Sequence, residues 1–320
     1  VKSSFKRQLI YHFNASDARE LETIQSLWSG YGTISRWQLV NSHVSTVIVK
    51  HIAIPIESNH PRGWNTKNSH VRKVKSYEVE MAWYHHYSDK TNDHCKVPKC
   101  YFTSEIGEES RVVLEDLDAT GFEARRSHLT VQETKLCLKW LANFHGTFMN
   151  DKPNRLWNEG SYWQLETRPD ELAAMDTSWL KKNAKKLDDK LRNCKYKTLI
   201  HGDAKVANFC FAPDINSVAA VDFQYVGGGC GMKDVVYLLG SCLTEYECEQ
   251  HEEELLNFYF RELRGSTKIE AFPKLEHEWR SMYAIAWADF TRFLLGWMPT
   301  HQKVNGYSLK MEQIAKSLLD

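Results

Sequence analysis

The chain has 320 residues, a length that suits about two lobes built around sizeable cores. Its composition, 42% apolar and 26% charged, is that of an ordinary globular protein and excludes a wholly disordered chain. The 41 Lys and Arg balance 41 Asp and Glu, so no global positive field points to nucleic acid or an anionic membrane, and no stretch approaches the ~20 apolar residues of a membrane span.

The opening VKSSFKRQL has charges with no apolar run behind them, unlike a signal peptide, and the lack of an initiator Met is what a trimmed or partial N-terminus would leave. Eight cysteines are scattered without a CxxC pair or zinc-ligand spacing, which predicts reduced thiols and a cytoplasmic location. Three strand-like runs follow: one around Trp28, one over Ile34 to Val40, and one over Ser45 to Lys50. A glycine turn, Ser29-Gly-Tyr-Gly-Thr33, separates the first two. In the third run Lys50 shares a face with Ile48, opposite Val47 and Val49. The polar stretch from Glu57 to Ser69 predicts a loop or flap. Its basic residues Arg62 and Lys67, with Arg72 and Lys73 just beyond, read as solvated charges within reach of an anion.

Val74, Tyr77, Met81 and Tyr84 recur at helical spacing and predict a helix from Val71 to Tyr87. Two more strands are expected near Tyr101 to Ser104 and Arg111 to Leu117. After Gly121 the chain turns helical: Thr130 to Met149, then segments near 170–192, 231–263 and 274–298. One β-like block, Leu199 to Phe223, interrupts them.

That block holds the chemistry. His201-Gly-Asp203-Ala-Lys205-Val-Ala-Asn208 places a carboxylate, an ammonium and a carboxamide close together, and Asp222 ends the next apolar run. Asn208 and Asp222 offer the hard oxygens that Mg²⁺ takes while keeping positions for water and phosphate. Asp203 can take a proton from an attacking hydroxyl, and Lys205 can neutralise charge on a moving phosphoryl group. Phosphoryl transfer asks mainly for such positioning and charge stabilisation.

HGDAKVAN followed by VDFQ resembles the HGDxxxxN…D signature of the aminoglycoside phosphotransferase and choline kinase superfamily, and more narrowly its ecdysteroid-kinase-like branch. The resemblance implies an α+β, bilobal, protein-kinase-like fold. Residues 1–117 would form an N-lobe with a small antiparallel sheet and one helix, and residues 118–320 a mainly helical C-lobe. It also implies ATP and Mg²⁺ as cofactors, a small-molecule acceptor, and no nucleic-acid or membrane partner. Lys50, ending TVIVK, would hold the α- and β-phosphates. Glu80 would pair with it, preferred over Glu78 because it lies nearer the Tyr77/Tyr84 stripe. Gly30 and Gly32 would give backbone contacts over the phosphates; Ser35 stands where protein kinases carry a third glycine. Backbone groups of Glu115 and Leu117 would read adenine at the hinge. His201 and Asp234 would hold the catalytic loop.

His145 reads as a core histidine. The Gly227–Gly231 run reads as a flexible loop that could also cradle an anion. Gly202 in place of the Arg of H-R-D, DFQ in place of DFG, and the lack of an APE argue against a protein kinase. A catalytically silent nucleotide binder is a further alternative, though none of Lys50, Asp203, Asn208 and Asp222 is lost. For the acceptor, Trp279, Tyr283, Trp287, Phe290, Phe293 and Trp297 form an aromatic stripe with Asp289 at its edge. It could hold a choline-like ammonium, a sterol-like alcohol, or simply the helical core. The acidic run from Glu245 to Glu254 reads as a solvated helix face.

Overall fold

The computed structural model describes residues 2–27, 30–53, 67–107 and 109–319. Phe5, Leu9 and Phe13 recur every fourth residue on helix α1 (Lys2–Phe13) and pack with Trp37, Val47, Val49 and Val113 into a core behind the sheet. This is a second N-lobe helix, where the sequence led us to expect one. The sheet comprises β1 (Asp17–Ser26), β2 (Gly32–Val40), β3 (Thr46–Ala53), β4 (Cys100–Ile106) and β5 (Glu109–Glu115). Their order is β1-β2-β3-β5-β4, antiparallel throughout.

The first strand described is β1, which ends at Ser26; the run expected around Trp28 lies outside the described residues. β1 is polar and mostly exposed, as an edge strand protected by charge tends to be. Alternation on β3 sends Val47 and Val49 to the α1 side and leaves Ile48 and Lys50 facing the other way. Most of the expected flap, residues 54–66, also lies outside the described residues; Ser69 belongs to helix α2 (Lys67–His86), which begins four residues before the expected start.

Beyond the hinge the chain is helical: α3 (Val131–Thr147), α4 (Pro169–Ala174), α5 (Trp179–Arg192), α6 (Met232–Cys242), α7 (Glu245–Ser266), α8 (Phe272–Trp297) and α9 (Gly306–Leu319). The segment expected as one helix over 231–263 is two. Thr244 starts α7 with a capping box, its side chain accepting from the Glu247 amide while Glu247 returns the bond, and so breaks the run after α6. The β-like block holds β6 (Thr198–Ile200) and a short hairpin of β7 (Phe209–Phe211) with β8 (Val218–Ala220); β6 pairs antiparallel with β9 (Gly227–Gly229), just beyond the block. Helix α9 was not expected, although its buried Tyr307, Met311 and Ala315 keep a regular four-residue spacing. All eight cysteines are free thiols. Among the described residues no helix is long and apolar enough to cross a membrane.

Candidate active site

Lys50 and Glu80 meet in the space between sheet and helix α2, both buried, with Nζ 2.6 Å from Glu80 Oε2. Lys50 Nζ also lies 3.3 Å from Asp222 Oδ1, so one ammonium joins β3, α2 and the end of the β-like block. Burial alone would discharge Lys50, but the two carboxylates outweigh it and raise its pKa. Asp222 answers in kind. Burial pushes its carboxyl up, yet Lys50, Lys205 and Lys73 hold it down at about 2. Glu78 stands on the exposed side of α2, 3.3 Å from Lys75.

The loop from His201 to Asn208 is fixed from behind by Asp234. Its carboxylate accepts from the amides of His201 (2.6 Å) and Gly202 (2.9 Å), and lies 3.0 Å from His145 Nε2. His145 is fully buried and also meets the Tyr259 hydroxyl at 2.7 Å, a satisfied core histidine. His201 Nε2 donates to the Val221 carbonyl at 3.0 Å, tying the loop to the segment that carries Asp222. Gly202 has φ +80°, and a Cβ there would sit 2.0 Å from the Tyr225 carbonyl, so no other residue fits.

Within the loop Asp203 is nearly sealed. Its Oδ2 accepts from Lys205 Nζ and Asn208 Nδ2, each at 3.0 Å, while its Oδ1 is buried without a partner. Asn208 also gives Nδ2 to the Asp203 carbonyl at 2.8 Å, which leaves its Oδ1 as the oxygen free to accept. Lys205 is partly buried, but Asp203 and Asp222 raise its pKa.

Lys50, Glu80, Asp203, Lys205, Asn208, Asp222, Glu115 and Leu117 line one cavity of about 1160 Å³ between the lobes. Gly30 and Gly32 are not among its lining residues. At Gly32 a Cβ would strike the His51 carbonyl at 1.9 Å, so that glycine answers to the close β2–β3 approach. The Glu115 side chain is held by Lys96 at 2.8 Å and the Lys99 amide at 2.9 Å. The Leu117 carbonyl accepts from the amides of Thr120 and Phe122, so its N–H is what remains for a ligand.

The glycine run and the aromatic stripe both depart from expectation. Gly227–Gly231 is neither loose nor an anion cradle. It is buried, and a Cβ on Gly227 would lie 2.2 Å from the Trp157 carbonyl, so these glycines let two backbones touch. The aromatic stripe divides. Trp279, Tyr283 and Trp287 are core, and Asp289 is buried against Arg292 (2.9 Å) and Trp163 (3.1 Å), while Phe290, Phe293 and Trp297 reach the cavity.

Several lining residues were not anticipated. Ile34, Ile48, Leu114, Cys210 and Val221 make an apolar slot at the hinge end. Arg36 on β2 bridges to the hinge, 2.8 Å from Asp116 and 2.5 Å from Asp118, and also pairs with Glu22. Gln224, in the place of the glycine of DFG, donates to Asp222 at 2.7 Å and accepts from Lys73 at 2.9 Å and Ser76 at 3.2 Å. It therefore clips Asp222 to α2, and Lys73 is part of the site rather than a solvated charge. Arg72 likewise lines the cavity and donates to the Thr167 carbonyl at 2.6 Å. Of the other basic residues noted near the flap, Arg62 and the Lys67 side chain lie outside the described residues. At the opposite end stand Tyr162, Tyr225, Tyr237, Arg168, His301 and Lys303.

Residues 59–158 and 161–270 match the model of the ecdysteroid kinase-like family. An aminoglycoside phosphotransferase from Streptomyces rimosus, solved with ADP and streptomycin, is 10% identical, covering 88% of this chain and 98% of that one with a TM-score of 0.50. An ethanolamine kinase from Plasmodium vivax is 11% identical, covering 96% of this chain and 83% of that one with a TM-score of 0.51. At such identities the likeness is one of fold: a bilobal α+β kinase-like architecture. No curated protein matches the chain in sequence.

Proposed function

The chain belongs to the ecdysteroid kinase-like family, and we propose that it moves the γ-phosphoryl group of ATP to a hydroxyl of a small molecule. In this reading residues 1–117 hold the nucleotide and residues 118–320 bring the catalytic loop and the acceptor. The observation that carries it is convergence: Lys50, Glu80 and Asp222 in one ion-pair chain share a cavity with Asp203, Lys205 and Asn208.

Adenine fills the apolar slot, with backbone groups of Glu115 and Leu117 as its polar contacts. Lys50, kept charged and in place by Glu80, meets the α- and β-phosphates. Asn208 Oδ1 and the outer oxygen of Asp222 suit Mg²⁺, a cation that typically takes one or two protein carboxylates and leaves its other positions to phosphate and water. Bound there, Mg²⁺ would supply charge neutralisation to the phosphates. The acceptor hydroxyl docks at the Asp203 carboxylate, beside Tyr237. The acceptor oxygen bonds to Pγ as the bond from Pγ to the bridging oxygen of ADP breaks, and the hydroxyl proton passes to Asp203. Lys205 neutralises the phosphoryl oxygens in transit.

The cavity exceeds the about 300–1,000 Å³ of an ordinary ligand pocket, room in keeping with a nucleotide and a second molecule. The acceptor end favours a flat, largely apolar alcohol, sterol-like in character, over a choline-like amine. Asp289, at the edge of the aromatic stripe, is spent on Arg292 away from the cavity, Glu171 is spent on Arg168 at 2.9 Å, and the cations Arg72, Arg168 and Lys303 line the same cavity. A protein acceptor is disfavoured: β9 and α6 follow Gln224 almost at once, leaving no length for an activation segment.

The test is transfer of radiolabel from γ-labelled ATP, with Mg²⁺, to a panel of sterols, sugars, amino alcohols and antibiotics. Label on a flat alcohol, lost in Asp203→Ala, is the expected result. A wild-type protein that binds no Mg·ATP would overturn the reading.

A further inference from the structure

Lys303 lies in the turn between α8 and α9, about a hundred residues beyond the catalytic loop in sequence, yet it lines the same cavity as Asp203 and Lys205. Its ammonium rests over two aromatic rings, 5.3 Å from the centroid of Tyr237 and 5.6 Å from that of Phe290, which fixes where the charge sits. Among the described residues no carboxylate comes within ion-pairing distance of it. Lys50, Lys205 and Arg168 in the same cavity each have one.

The groups that face it are Tyr237 and Cys242 from α6, Asp203 and Lys205 from the catalytic loop, and His301 from its own turn, whose Nδ1 accepts from the Lys303 amide at 3.2 Å. Burial and the repulsion of Lys205 push the Lys303 ammonium down to about 8. Lys303 therefore shares the cavity with Lys205 and feels both its repulsion and the attraction of Asp203, without an ion pair of its own among the described residues. The repulsion between the two lysines is relieved when an anion enters. In phosphoryl transfer the anion that arrives there is the phosphoryl group itself, with charge on its three equatorial oxygens.

We propose that Lys303 is a catalytic residue of this site, contacting the phosphoryl group from the acceptor side as it leaves ADP and receiving it on the acceptor. The inference rests on the kinase reading above. Lys205 then steadies the group from the nucleotide side and Lys303 from the acceptor side, while the acceptor proton goes to Asp203 and no further reactant is needed.

The test uses the full chain with Mg²⁺, ADP and aluminium fluoride, a planar stand-in for the moving phosphoryl group, read by calorimetry. Wild-type protein is expected to bind ADP more tightly with the fluoride than without. Lys303→Met should leave affinity for Mg·ADP alone unchanged, which also certifies its fold, and should lose about tenfold of the fluoride-dependent gain. Lys303→Arg should recover most of that gain. A Lys303→Met protein with the full gain would overturn the proposal, as would wild-type protein that binds ADP but gains nothing from the fluoride. Wild-type protein that binds no ADP would instead remove the kinase reading.

Discussion

Trp83 stacks on Phe223 with ring centroids 4.5 Å apart and planes 13° from parallel, both residues fully buried. Trp83 follows Glu80 by three residues on α2, and Phe223 follows Asp222 directly. The stack therefore holds together the two elements whose carboxylates share Lys50. Trp140, Phe144 and Phe148 back it from α3 and the residue just beyond.

Removing that indole should be costly in two ways. Trp83→Ala is expected to lose about 3–5 kcal/mol of unfolding free energy in a urea titration, as large buried aromatics do when truncated. It should also weaken Mg·ATP binding, because Glu80 would no longer be held against Lys50. Trp83→Phe, which keeps a ring, should lose less of both. Nucleotide affinity that survives intact in Trp83→Ala would show that α2 needs no such anchor.

The two glutamates of α2 should behave differently. Glu80 is sealed against Lys50 and Glu78 faces solvent. Glu80→Gln leaves a buried ammonium with one carboxylate fewer and should cost about 3–5 kcal/mol of stability together with most nucleotide affinity. Glu78→Gln should stay within about 0.5 kcal/mol of wild type by the same denaturation measurement. Equal effects would contradict the geometry.

Asp234→Asn tests the scaffold behind the loop. The amide would turn its NH₂ toward the N–H groups of His201 or Gly202, replacing an acceptor by a donor. We expect a loss of about 2–4 kcal/mol in thermal or urea unfolding, and a fall in kcat larger than any change in the Kd of ADP. A stable Asp234→Asn protein with normal turnover would be the opposing result.

Burial pushes Lys73 down to about 8, with Lys50 adding to it and Asp222 opposing. Near pH 8 about half of the free protein then has Lys73 uncharged. A triphosphate favours the ammonium, so nucleotide binding should take up protons around pH 8. Near pH 6.5 the lysine is already charged and the uptake should vanish. Calorimetry in two buffers of different ionisation enthalpy measures this directly, and Lys73→Met should reduce the uptake. Proton release at pH 8 would reverse the assignment.

What is legible in the sequence follows from local chemistry. Asp203, Lys205 and Asn208 sit within six residues, and Lys50 closes the TVIVK run on the face opposite Val47 and Val49, although the strand itself continues to Ala53, so residue types and spacing suffice to pick them out. Glu80 is separable from Glu78 because the apolar stripe of α2 marks its buried face. Helices α1 and α9 escape notice because each buries a thin stripe on a largely polar surface, and β1 because an exposed edge strand has no apolar face to alternate. The fate of the aromatic stripe is a question of distance in space. Which of its rings face the cavity and which the core depends on how α8 is rotated against its neighbours, whereas the Asp289–Arg292 pair is an i,i+3 contact within the helix that spacing alone could have flagged. Gln224 matters through Lys73 and Ser76 on α2, and Lys303 through Tyr237 on α6, partners far off in the chain that spacing does not encode.

Asp222 has φ +69°, in the left-handed region that few residues other than glycine enter readily, Asp and Asn foremost among them. Backbone shape and chemistry thus restrict the position together: glycine would keep the bend and lose both side-chain oxygens, and Asn would keep the bend and one side-chain oxygen and lose the charge. A single exchange of Asp for Asn would leave the loop's contour intact while discharging the position beside Lys50. By that route a member of this fold could pass from turnover to mere retention of a nucleotide with almost no change in shape.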